Sequence, residues 1–397
     1  MVHDVSRALM WLFTFSLNLA QKTFEIPTRY NCTYQQRDIL RALTFLSLEA
    51  EYAEGGLKNL SKTLRRANQH RKNNNIPNAD TLLLRLKQIN RPKAKNMLCK
   101  LNRQVLAATK TKGAFKKKVM VAIDLTFIPY YGKKITQYVV GGKPKNGTSY
   151  FHCYATLRIV SSGRRFTIKT RRVKKDELDA EAISKIVLEL LLEAKTCGVH
   201  IDLVLLDKGF CWREVIAALE TSEYKFLAAA KRDKQVKEAI LDYFRTGKGQ
   251  VRRFSKGKDE GKVTFNLSIH RFKKRRRRRV RNILELYGAF ATNLSLKEAL
   301  RVWEKLPGEY RRRWGIETGY RVDGGFRART TSRDERLRFI YYEYMVFLEN
   351  LWTLHNMREA RRQGVVLDEV KKLSVTGKMF CEDFVHVLVT TFDRGPP

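Results

Sequence analysis

The order of strand and helix patterns from Lys117 onward constrains the fold of this chain more than any other feature. Four runs rich in β-branched and aromatic residues come first, separated by Gly, Lys and Asn turns: VMVAIDL, KITQYVVGG, SYFHCYATLRIV and RRFTIKTRRV. A helical pattern over residues 176–195 follows, with acidic residues at its start and a basic residue near its end. A buried strand over 201–206, a helix over 212–219 and a strand over 225–229 complete the series. The sequence therefore predicts an α/β domain built on one mixed sheet.

This order of elements is that of a ribonuclease-H-like domain, in which helices flank a mixed sheet. The order is interrupted by the segments VRRFSK, KVTFNLSIHRF and KKRRRRR before the core pattern resumes at YGAFATNL, and we interpret the interruption as a β-rich basic insertion. The predicted organisation is a helical N-terminal domain (1–116), an α/β domain in two parts (117–230 and 286–360), the insertion (231–285) and a C-terminal tail (361–397).

The net charge of the chain indicates which class of partner it binds. The 397 residues include 79 Lys and Arg against 40 Asp and Glu, a formal net charge of +39, and the excess is spread along the chain rather than gathered in a tail. Such a distribution favours a nucleic-acid partner over an isolated targeting signal. The run KKRRRRR, with Lys273, Arg275 and Arg277, invites interpretation as a localisation signal, but between strands it is expected to contact DNA phosphates.

The cysteine pattern indicates a reducing compartment, and the apolar N-terminal stretch indicates a cytoplasmic protein. The six cysteines show no C-x-x-C pair and no His at zinc-ligand spacing, so we expect free thiols rather than disulfides or a structural zinc. The apolar stretch from Leu9 to Ala20 is interrupted by polar residues and is too short to span a bilayer. We interpret it as an amphipathic helix of a cytoplasmic protein with no membrane partner.

The N-terminal part combines helical spacing with positive charge. Apolar residues recur at helical intervals over residues 35–48 and 57–69, and over 81–89 after the Asn-rich break NNNIPNAD. Helix, turn and helix of this kind are compatible with a domain that recognises a DNA terminus, and equally with simple helix packing. The basic residues of this segment are Lys58, Lys62, Arg65, Arg66, Arg71, Lys72, Arg85 and Lys87.

Three acidic residues stand out against this basic background. Asp124 ends the strand-like run KKVMVAID, Asp207 ends IDLVLLD, and Glu317 lies in the helical stretch EYRRRWGIETGYR. Taken singly, an Asp at a strand end often caps a turn and a Glu on a helix is usually solvated. In the predicted topology, however, the ends of the first and fourth strands lie side by side, and the helix after the last core strand packs nearby. We therefore expect the three carboxylates to meet.

A carboxylate cluster in a cationic groove suits phosphodiester chemistry. In-line attack on a phosphodiester uses two divalent ions about 3.5 to 4 Å apart, one at the attacking oxygen and one at the leaving oxygen. Carboxylate oxygens suit Mg²⁺ or Mn²⁺, and the lack of a suitable Cys or His set argues against zinc. The prediction is that Asp124, Asp207 and Glu317 are catalytic residues that hold two Mg²⁺ or Mn²⁺ ions.

The stretch around Glu317 also predicts how DNA is held. On a continuous helix, Tyr310, Arg313, Glu317 and Arg321 share one face. That face would present a ring for DNA stacking, cations for phosphates and a metal ligand. The alternative is an amphipathic helix whose charged face meets water. A further DNA contact is expected from Lys208.

The spacing of Tyr310, Arg313 and Glu317, with two and three residues between them, resembles the Tyr-Arg-Glu-Lys signature of DDE transposases encoded by insertion sequences of bacteria and archaea. Other segments are similar to that family as well, namely AIDLTFIPYYG, LLDKGF, FATN and FRARTTSRDERLR. The resemblance covers roughly residues 117 to 356. It implies a ribonuclease-H-like catalytic domain with a β-rich insertion between the second Asp and the Glu.

The resemblance also implies roles for single residues. Asp124, Asp207 and Glu317 would be the metal ligands, while Tyr310 and Arg313 would position the transposon end. The Lys of the signature is missing: after six intervening residues beyond the Glu its position holds Gly324, in a Gly-Gly pair expected to end the helix. The candidates to supply that charge are Arg321 and Arg327.

What the resemblance implies overall is a DNA transposase that moves an insertion sequence by cut-and-paste transposition in a prokaryotic cytoplasm, at the nucleoid. It would nick double-stranded DNA at the terminal inverted repeats, and the freed 3′-hydroxyl would attack target DNA. Enzymes of this kind generally work as homodimers that join two DNA ends. Two rivals stay open: a transposase-derived DNA-binding protein that no longer cuts, and a nuclease of the same fold without strand transfer.

Overall fold

The structure is a computed structural model of the chain, and it describes residues 2–28, 31–67, 75–133, 136–257, 262–272, 283–370 and 373–391. Within these ranges the α-helices are α1 (Val2–Thr23), α2 (Gln36–Leu48), α3 (Ala53–Ala67), α4 (Ala79–Lys87), α5 (Arg91–Thr111), α6 (Ala180–Thr196), α7 (Arg213–Thr221), α8 (Lys234–Thr246), α9 (Leu296–Arg301), α10 (Leu306–Arg311), α11 (Trp314–Asp323), α12 (Glu335–Arg362) and α13 (Gly377–Thr391). The strands are β1 (Val119–Pro129), β2 (Val140–Lys145), β3 (Thr148–Ile159), β4 (Thr167–Val173), β5 (Ile201–Leu206), β6 (Phe226–Ala229), β7 (Val251–Lys256), β8 (Val263–Arg271) and β9 (Tyr287–Thr292).

The chain divides into two compact units. The helical unit comprises residues 1–114, 162–168 and 318–397, and the sheet unit comprises residues 115–161 and 169–317. The five segments proposed from the sequence were defined by the order of patterns along the chain, and their boundaries stay predictions.

The helical unit is organised around α12, whose 28 residues are mostly buried. Asn350 of this helix is fully buried, and its side chain accepts a hydrogen bond from the Thr167 N–H at 2.9 Å and donates one to the Thr167 carbonyl at 2.8 Å. The α12 N-cap is Asp334, whose carboxylate accepts from the N–H groups of Arg336 and Leu337. Asp334 therefore satisfies two backbone N–H groups in the first turn of α12.

Helix prediction in the N-terminal part is confirmed for three segments and incomplete for a fourth. The helices α2, α3 and α4 correspond to the patterns over 35–48, 57–69 and 81–89, each within a few residues. Helix α5 was not predicted, although Asn90 provides an N-cap and Pro92 occupies the first turn. Its buried residues Ala94, Met97, Leu98 and Leu101 recur at helical spacing, so the sequence did contain a signal for this helix.

The sheet unit contains a mixed sheet, as predicted. Its strands are ordered β2-β3-β1-β5-β6-β9-β8-β7, with β4 paired to β3. The pairs β1–β5 and β5–β6 are parallel, whereas β1–β3, β2–β3, β6–β9, β8–β9 and β7–β8 are antiparallel. Strands 201–206 and 225–229 and the helix between them are found where the sequence placed them. Helices α6 and α7 pack against each other beside this sheet.

The segment interpreted as a β-rich insertion contains a helix as well as strands. Residues Lys234–Thr246 form α8, capped by Asp233, whose side chain accepts from the Val236 N–H, and closed by Gly247 in the left-handed conformation. The strands β7 and β8 then extend the main sheet beyond β9 instead of forming a separate sheet. The description as β-rich was therefore too narrow, because α8 precedes the hairpin.

All six cysteines are free, as expected from their spacing. Among the residues that the structure describes, none of the helices has the length and apolar character needed to cross a membrane.

Candidate active site

Asp124 lies on β1 just beyond the point where the neighbouring strand β5 ends. The parallel pairing of β1 with β5 ends at Ile123, opposite Leu206, but β1 continues alongside β3 as far as Pro129. Asp124 is thus in the middle of its strand and not at its end, which corrects the sequence prediction. Its carboxylate is the first side chain of β1 past the last residue of β5, and the Leu125 N–H donates to Oδ1 at 2.8 Å.

Asp207 is the residue directly after β5. It is the N-cap of a short 3-10 turn, Lys208–Phe210, and its carbonyl accepts from the Phe210 N–H at 2.9 Å. Because β1 and β5 are parallel neighbours, their carboxyl ends point the same way, and Asp124 and Asp207 lie at one edge of the sheet. The structure therefore brings these two residues together as the topology predicted.

Glu317 lies on α11, after a break in the helix. The sequence analysis expected one continuous helix from Tyr310 through Arg321, but α10 ends at Arg311 and α11 begins at Trp314. The N–H of Arg313 donates to the Tyr310 carbonyl and that of Ile316 to the Arg313 carbonyl, both at 3.0 Å, so the connection is a tight turn with i to i+3 bonds. The prediction of one continuous helix was therefore wrong, although Arg313 still contacts both Tyr310 and Glu317.

A glycine lets the second helix lie close to the sheet. A Cβ atom on Gly315 would be 3.3 Å from Cγ1 of Val160, at the end of β3, which is tighter than ordinary side-chain packing. The missing side chain leaves room for the first turn of α11 beside the strand. That turn carries Glu317, so the small residue contributes to the position of the third carboxylate.

The three carboxylates meet at the guanidinium of Arg313. Its Nη2 atom is 2.6 Å from Oε1 of Glu317 and 3.7 Å from Oδ1 of Asp207, and Nη1 is 3.8 Å from Oδ2 of Asp124. The Arg313 side chain is 8% exposed, against 19% for Asp124, 46% for Asp207 and 43% for Glu317. A buried cation thus lies under an acidic cluster that opens toward solvent.

Burial and the neighbouring charges shift the protonation of this cluster. Burial raises the pKa of Asp124 to about 6, opposed by the Leu125 N–H and Arg313 and reinforced by the charges of Asp207 and Glu317. Burial by itself would lower the pKa of Arg313, but Tyr310 and the three carboxylates raise it above its ordinary value. Arg313 is therefore charged at any working pH, while Asp124 loses its proton near neutrality.

Tyr310 is packed beside the acidic cluster. Its ring centroid is 4.8 Å from that of Phe290 on β9, and the Arg313 guanidinium carbon lies 5.7 Å from the Tyr310 ring centre. Burial raises the pKa of the Tyr310 hydroxyl to about 12, so the phenol stays protonated. The ring is part of the core on one side and borders an open cavity on the other.

That cavity contains residues that the sequence analysis did not single out. Its volume is about 540 Å³, and it is lined by Lys208, Ala229, Ala230, Arg232, Phe272, Gly288, Ala289, Phe290, Pro307, Tyr310, Arg311 and Trp314. Lys208 was predicted, but Arg232, Arg311 and Trp314 were missed. Arg311 and Trp314 flank the Arg312-Arg313 pair. Their place between Tyr310 and Glu317 is the sequence signal that could have identified them. The cavity combines exposed aromatic surface with three cations.

A family model described as "Transposase DDE domain" matches residues 115–340. The chain belongs to the DDE transposase family, and it is a DNA transposase. Members of this family are DNA endonucleases and strand transferases, and they generally use divalent metal ions.

One solved transposase structure shares the fold of this DDE transposase. A piggyBac transposase synaptic complex with hairpin DNA has a TM-score of 0.58 and 10% sequence identity, covering 98% of this chain and 78% of that chain. Two Mos1 structures match more weakly: a paired-end complex with the left transposon end (TM-score 0.21, 16% identity, 44% and 58% coverage) and a paired-end complex with Mn (TM-score 0.20, 12% identity, 50% and 65% coverage). Only the first supports an argument, and at its identity it supports the ribonuclease-H-like fold alone. A search among curated proteins finds no match.

The remaining predicted DNA contacts of the transposase lie elsewhere in the chain. Arg321 is exposed in the last turn of α11 and Arg327 follows the 3-10 turn Gly324–Phe326; both belong to the helical unit. Helix α11 ends just before Gly324, as predicted. The predicted phosphate contacts of the basic tract lie outside the described residues: Lys273, Arg275 and Arg277.

The donor set of the cluster suits a divalent ion of the kind that DDE transposases use. The groups that converge are three carboxylates, which are hard oxygen ligands preferred by Mg²⁺ and Mn²⁺. Among the described residues, however, no group of three or more His, Cys, Asp or Glu is arranged so as to hold a metal ion. The point on which the oxygens converge is taken by the guanidinium of Arg313.

Proposed function

We propose that this DDE transposase carries out cut-and-paste transposition of an insertion sequence with Asp124, Asp207 and Glu317 as its catalytic, metal-binding residues. The observation that carries the proposal is the convergence of these carboxylates, from the middle of β1, the end of β5 and the first turn of α11, within 3.8 Å of one guanidinium. They are separated by more than eighty residues along the chain on each side, so only the fold brings them together.

The chemistry proposed at this cluster is phosphodiester hydrolysis followed by strand transfer. Two Mg²⁺ or Mn²⁺ ions, when bound by these residues, would activate the attacking oxygen and stabilise the leaving oxygen. In the first step water attacks the phosphorus at the element end, the bond from phosphorus to the 3′-oxygen breaks, and a 3′-hydroxyl is left on the element. In the second step that hydroxyl attacks a target phosphodiester, and the target strand leaves as a new 3′-hydroxyl.

The side chains around the cluster are proposed to hold the DNA. Tyr310 packs against Phe290 and lines the cavity, where its ring can stack on a DNA base. Arg313 is charged and can take a phosphate in two parallel hydrogen bonds. Lys208 follows Asp207 directly and lines the same cavity. Charge and positioning account for most of the catalysis in such a site.

The proposed partners are the terminal inverted repeats of the element and double-stranded target DNA, in a prokaryotic cytoplasm at the nucleoid. The net charge of +39 supports a polyanionic partner. The piggyBac structure that shares the fold is named as a synaptic complex with hairpin DNA. We also propose that this chain acts as a homodimer that holds two DNA ends.

The test is cleavage of DNA that carries the flanking sequence of the gene, in the presence of Mg²⁺, by wild type and Glu317→Gln. We expect the wild type to release the element end and to yield a joined product with target DNA, whereas the variant binds the same DNA without cutting it. Glu304→Gln is the matched control, since Glu304 is an exposed carboxylate in the turn before α10, and it should cut like wild type.

Each alternative has its own outcome in this experiment. If wild type and Glu317→Gln both bind the flanks and neither cuts, the enzyme has become a DNA-binding protein. If wild type cuts but no joined product forms, the chain is a nuclease without strand transfer. If Glu317→Gln cuts as fast as wild type, the assignment of the third carboxylate is wrong.

A further inference from the structure

Arg313 occupies the position that the three carboxylates share. Its Nη2 hydrogen-bonds Glu317 at 2.6 Å and lies 3.7 Å from Asp207, and its Nη1 lies 3.8 Å from Asp124. A divalent ion ligated by the same three oxygens has to lie among them, at oxygen distances of about 2.0 to 2.1 Å for Mg²⁺. The guanidinium and such an ion cannot both be at this point, because they use the same lone pairs and repel each other.

The side chain of Arg313 is buried, but its hydrogen-bonding capacity is not fully used. Glu317 is the carboxylate within hydrogen-bonding distance, while those of Asp124 and Asp207 are beyond it. Within the described residues, Nε of Arg313 is buried and has no hydrogen-bond partner. Arg313 also stands in the turn between α10 and α11, outside both helices. A partner that satisfies more of its donors can therefore draw the side chain away from the carboxylates without unwinding a helix.

A DNA phosphate is such a partner. A phosphodiester accepts two parallel hydrogen bonds from a guanidinium, and the charge-assisted bonds are stronger than neutral ones. Asp207 and Glu317 are about half exposed, so the face of the cluster that receives DNA is open beside the guanidinium. Neighbouring cations, Lys208 and Arg311, line the adjoining cavity and would hold the same strand.

We propose that Arg313 is a positioning residue that takes the place of the divalent ions in the DNA-free protein and gives it up when a DNA phosphate binds its guanidinium. The proposal rests on the proposed function. This exchange couples the binding of DNA to the binding of divalent ions. DNA removes a competitor from the carboxylates and so raises their affinity for divalent ions. Divalent ions in turn raise the affinity for DNA by the same factor. The carboxylates also stay together, rather than repelling each other, before any ion arrives.

The test measures Mn²⁺ binding, and not cleavage, on the full chain. Free Mn²⁺ is followed by electron paramagnetic resonance during titration of wild type, Arg313→Gln and Arg312→Gln, each with and without a short DNA duplex. Arg312 is the matched control because it is the adjacent arginine, is 41% exposed and pairs with Glu309 instead of the cluster. Glu317→Gln is titrated in the same way, and the free duplex at the same concentration serves as the blank for Mn²⁺ bound by DNA itself.

We expect wild type to bind Mn²⁺ weakly without DNA and at least about tenfold more tightly with it, because one positive charge beside the site leaves. Arg313→Gln should bind Mn²⁺ without DNA at least about tenfold more tightly than wild type, and the duplex should add little. Arg312→Gln should behave like wild type. The comparison of wild type with and without DNA involves no substitution, so it remains decisive if Arg313→Gln fails to fold.

Two results would overturn the inference. One is tight Mn²⁺ binding by DNA-free wild type that the duplex does not change. The other is weaker Mn²⁺ binding by folded Arg313→Gln than by wild type, which would make Arg313 a support of the metal site and not its competitor. Either result leaves the cleavage test of the proposed function untouched, whereas Mn²⁺ binding by Glu317→Gln equal to that of wild type would remove the proposed ligand itself.

Discussion

Thr156 lies directly opposite Asp124 in the antiparallel pair of β3 and β1. The residue is 2% exposed, and within the described residues its hydroxyl oxygen is buried without a hydrogen-bond partner. Residues paired in this way project their side chains to the same face of a sheet. The catalytic aspartate proposed here is thus flanked by a buried hydroxyl that no described residue hydrogen-bonds.

Replacing Thr156 by Val should stabilise the protein. Valine has the same shape but no hydroxyl, so the cost of burying an unpaired polar group is removed, and we expect the free energy of unfolding to rise by about 1 kcal/mol. Urea denaturation in metal-free buffer measures this. Thr156→Ser keeps the hydroxyl and loses the methyl group, and it should be less stable than wild type by a similar amount. A loss of stability in Thr156→Val would show that the hydroxyl is satisfied in solution.

The raised pKa of Asp124 predicts how Asp124→Asn changes stability with pH. The folded protein, with a pKa of about 6, keeps a proton that the unfolded chain releases near its ordinary value of 3.8. Wild-type stability therefore falls as pH rises through this window, and the cost persists above it. Asparagine does not ionise, so relative to wild type the variant should gain about 2 to 3 kcal/mol between pH 4 and pH 7 in metal-free buffer. If the stabilities of the two proteins change with pH in the same way, Asp124 does not have the raised pKa. Cleavage by Asp124→Asn should be lost at every pH.

His270 predicts a pH dependence of opposite sign. It is 4% exposed on β8, its Nε2 is 2.7 Å from the Ser268 hydroxyl, and its ring is stacked on Trp303 at 4.9 Å. Burial lowers its pKa to about 4 from 6.5, so the unfolded chain takes up a proton that the folded protein refuses.

Stability contributed by the neutral His270 is present above pH 6.5 and is lost as pH falls toward 4. Between pH 7 and pH 5 the loss from this residue should be about 2 kcal/mol. His270→Gln removes that component, so its stability should depend less on pH over the same interval than that of wild type. Denaturant unfolding at the two pH values checks this, and equal losses for both proteins would exclude His270 as the cause.

The Tyr310 ring is expected to matter more than its hydroxyl. Tyr310→Phe keeps the contact with Phe290, whose ring centroid is 4.8 Å away, and should stay within about 1 kcal/mol of wild type in unfolding free energy. Tyr310→Ala leaves a gap beside Phe290 and should cost about 2 to 4 kcal/mol. Affinity for a DNA duplex, measured by fluorescence anisotropy at fixed salt, should follow the same order. A strong loss of affinity in Tyr310→Phe would instead assign the contact to the hydroxyl.

The elements that could be predicted are those whose signal is local. The strand Ile201–Leu206 is a continuous apolar run that ends at a polar residue, and its limits were found as predicted. The helix beginning at Ala180 is capped by Asp179, inside the acidic start that marked it. Helix α8 was missed although its buried residues Val236, Ala239 and Ile240 recur at helical spacing, because the strand patterns that follow it led us to interpret the whole segment as β-rich. The single helix expected across Tyr310 and Glu317 was wrong because helical spacing continues through a tight turn that the sequence does not mark.

The sequence by itself determined which residues are present for the chemistry: two aspartates at the ends of apolar runs, a glutamate in an arginine-rich signature, and enough positive charge for a DNA partner. Those properties depend on residue type and local periodicity, which a sequence displays directly. Only the tertiary structure decided that Asp124 continues its strand past β5, that the helix breaks before Arg313, and that this arginine lies between the three carboxylates. The reason is physical: these arrangements follow from the pairing of distant strands and from side-chain packing, which no local pattern encodes.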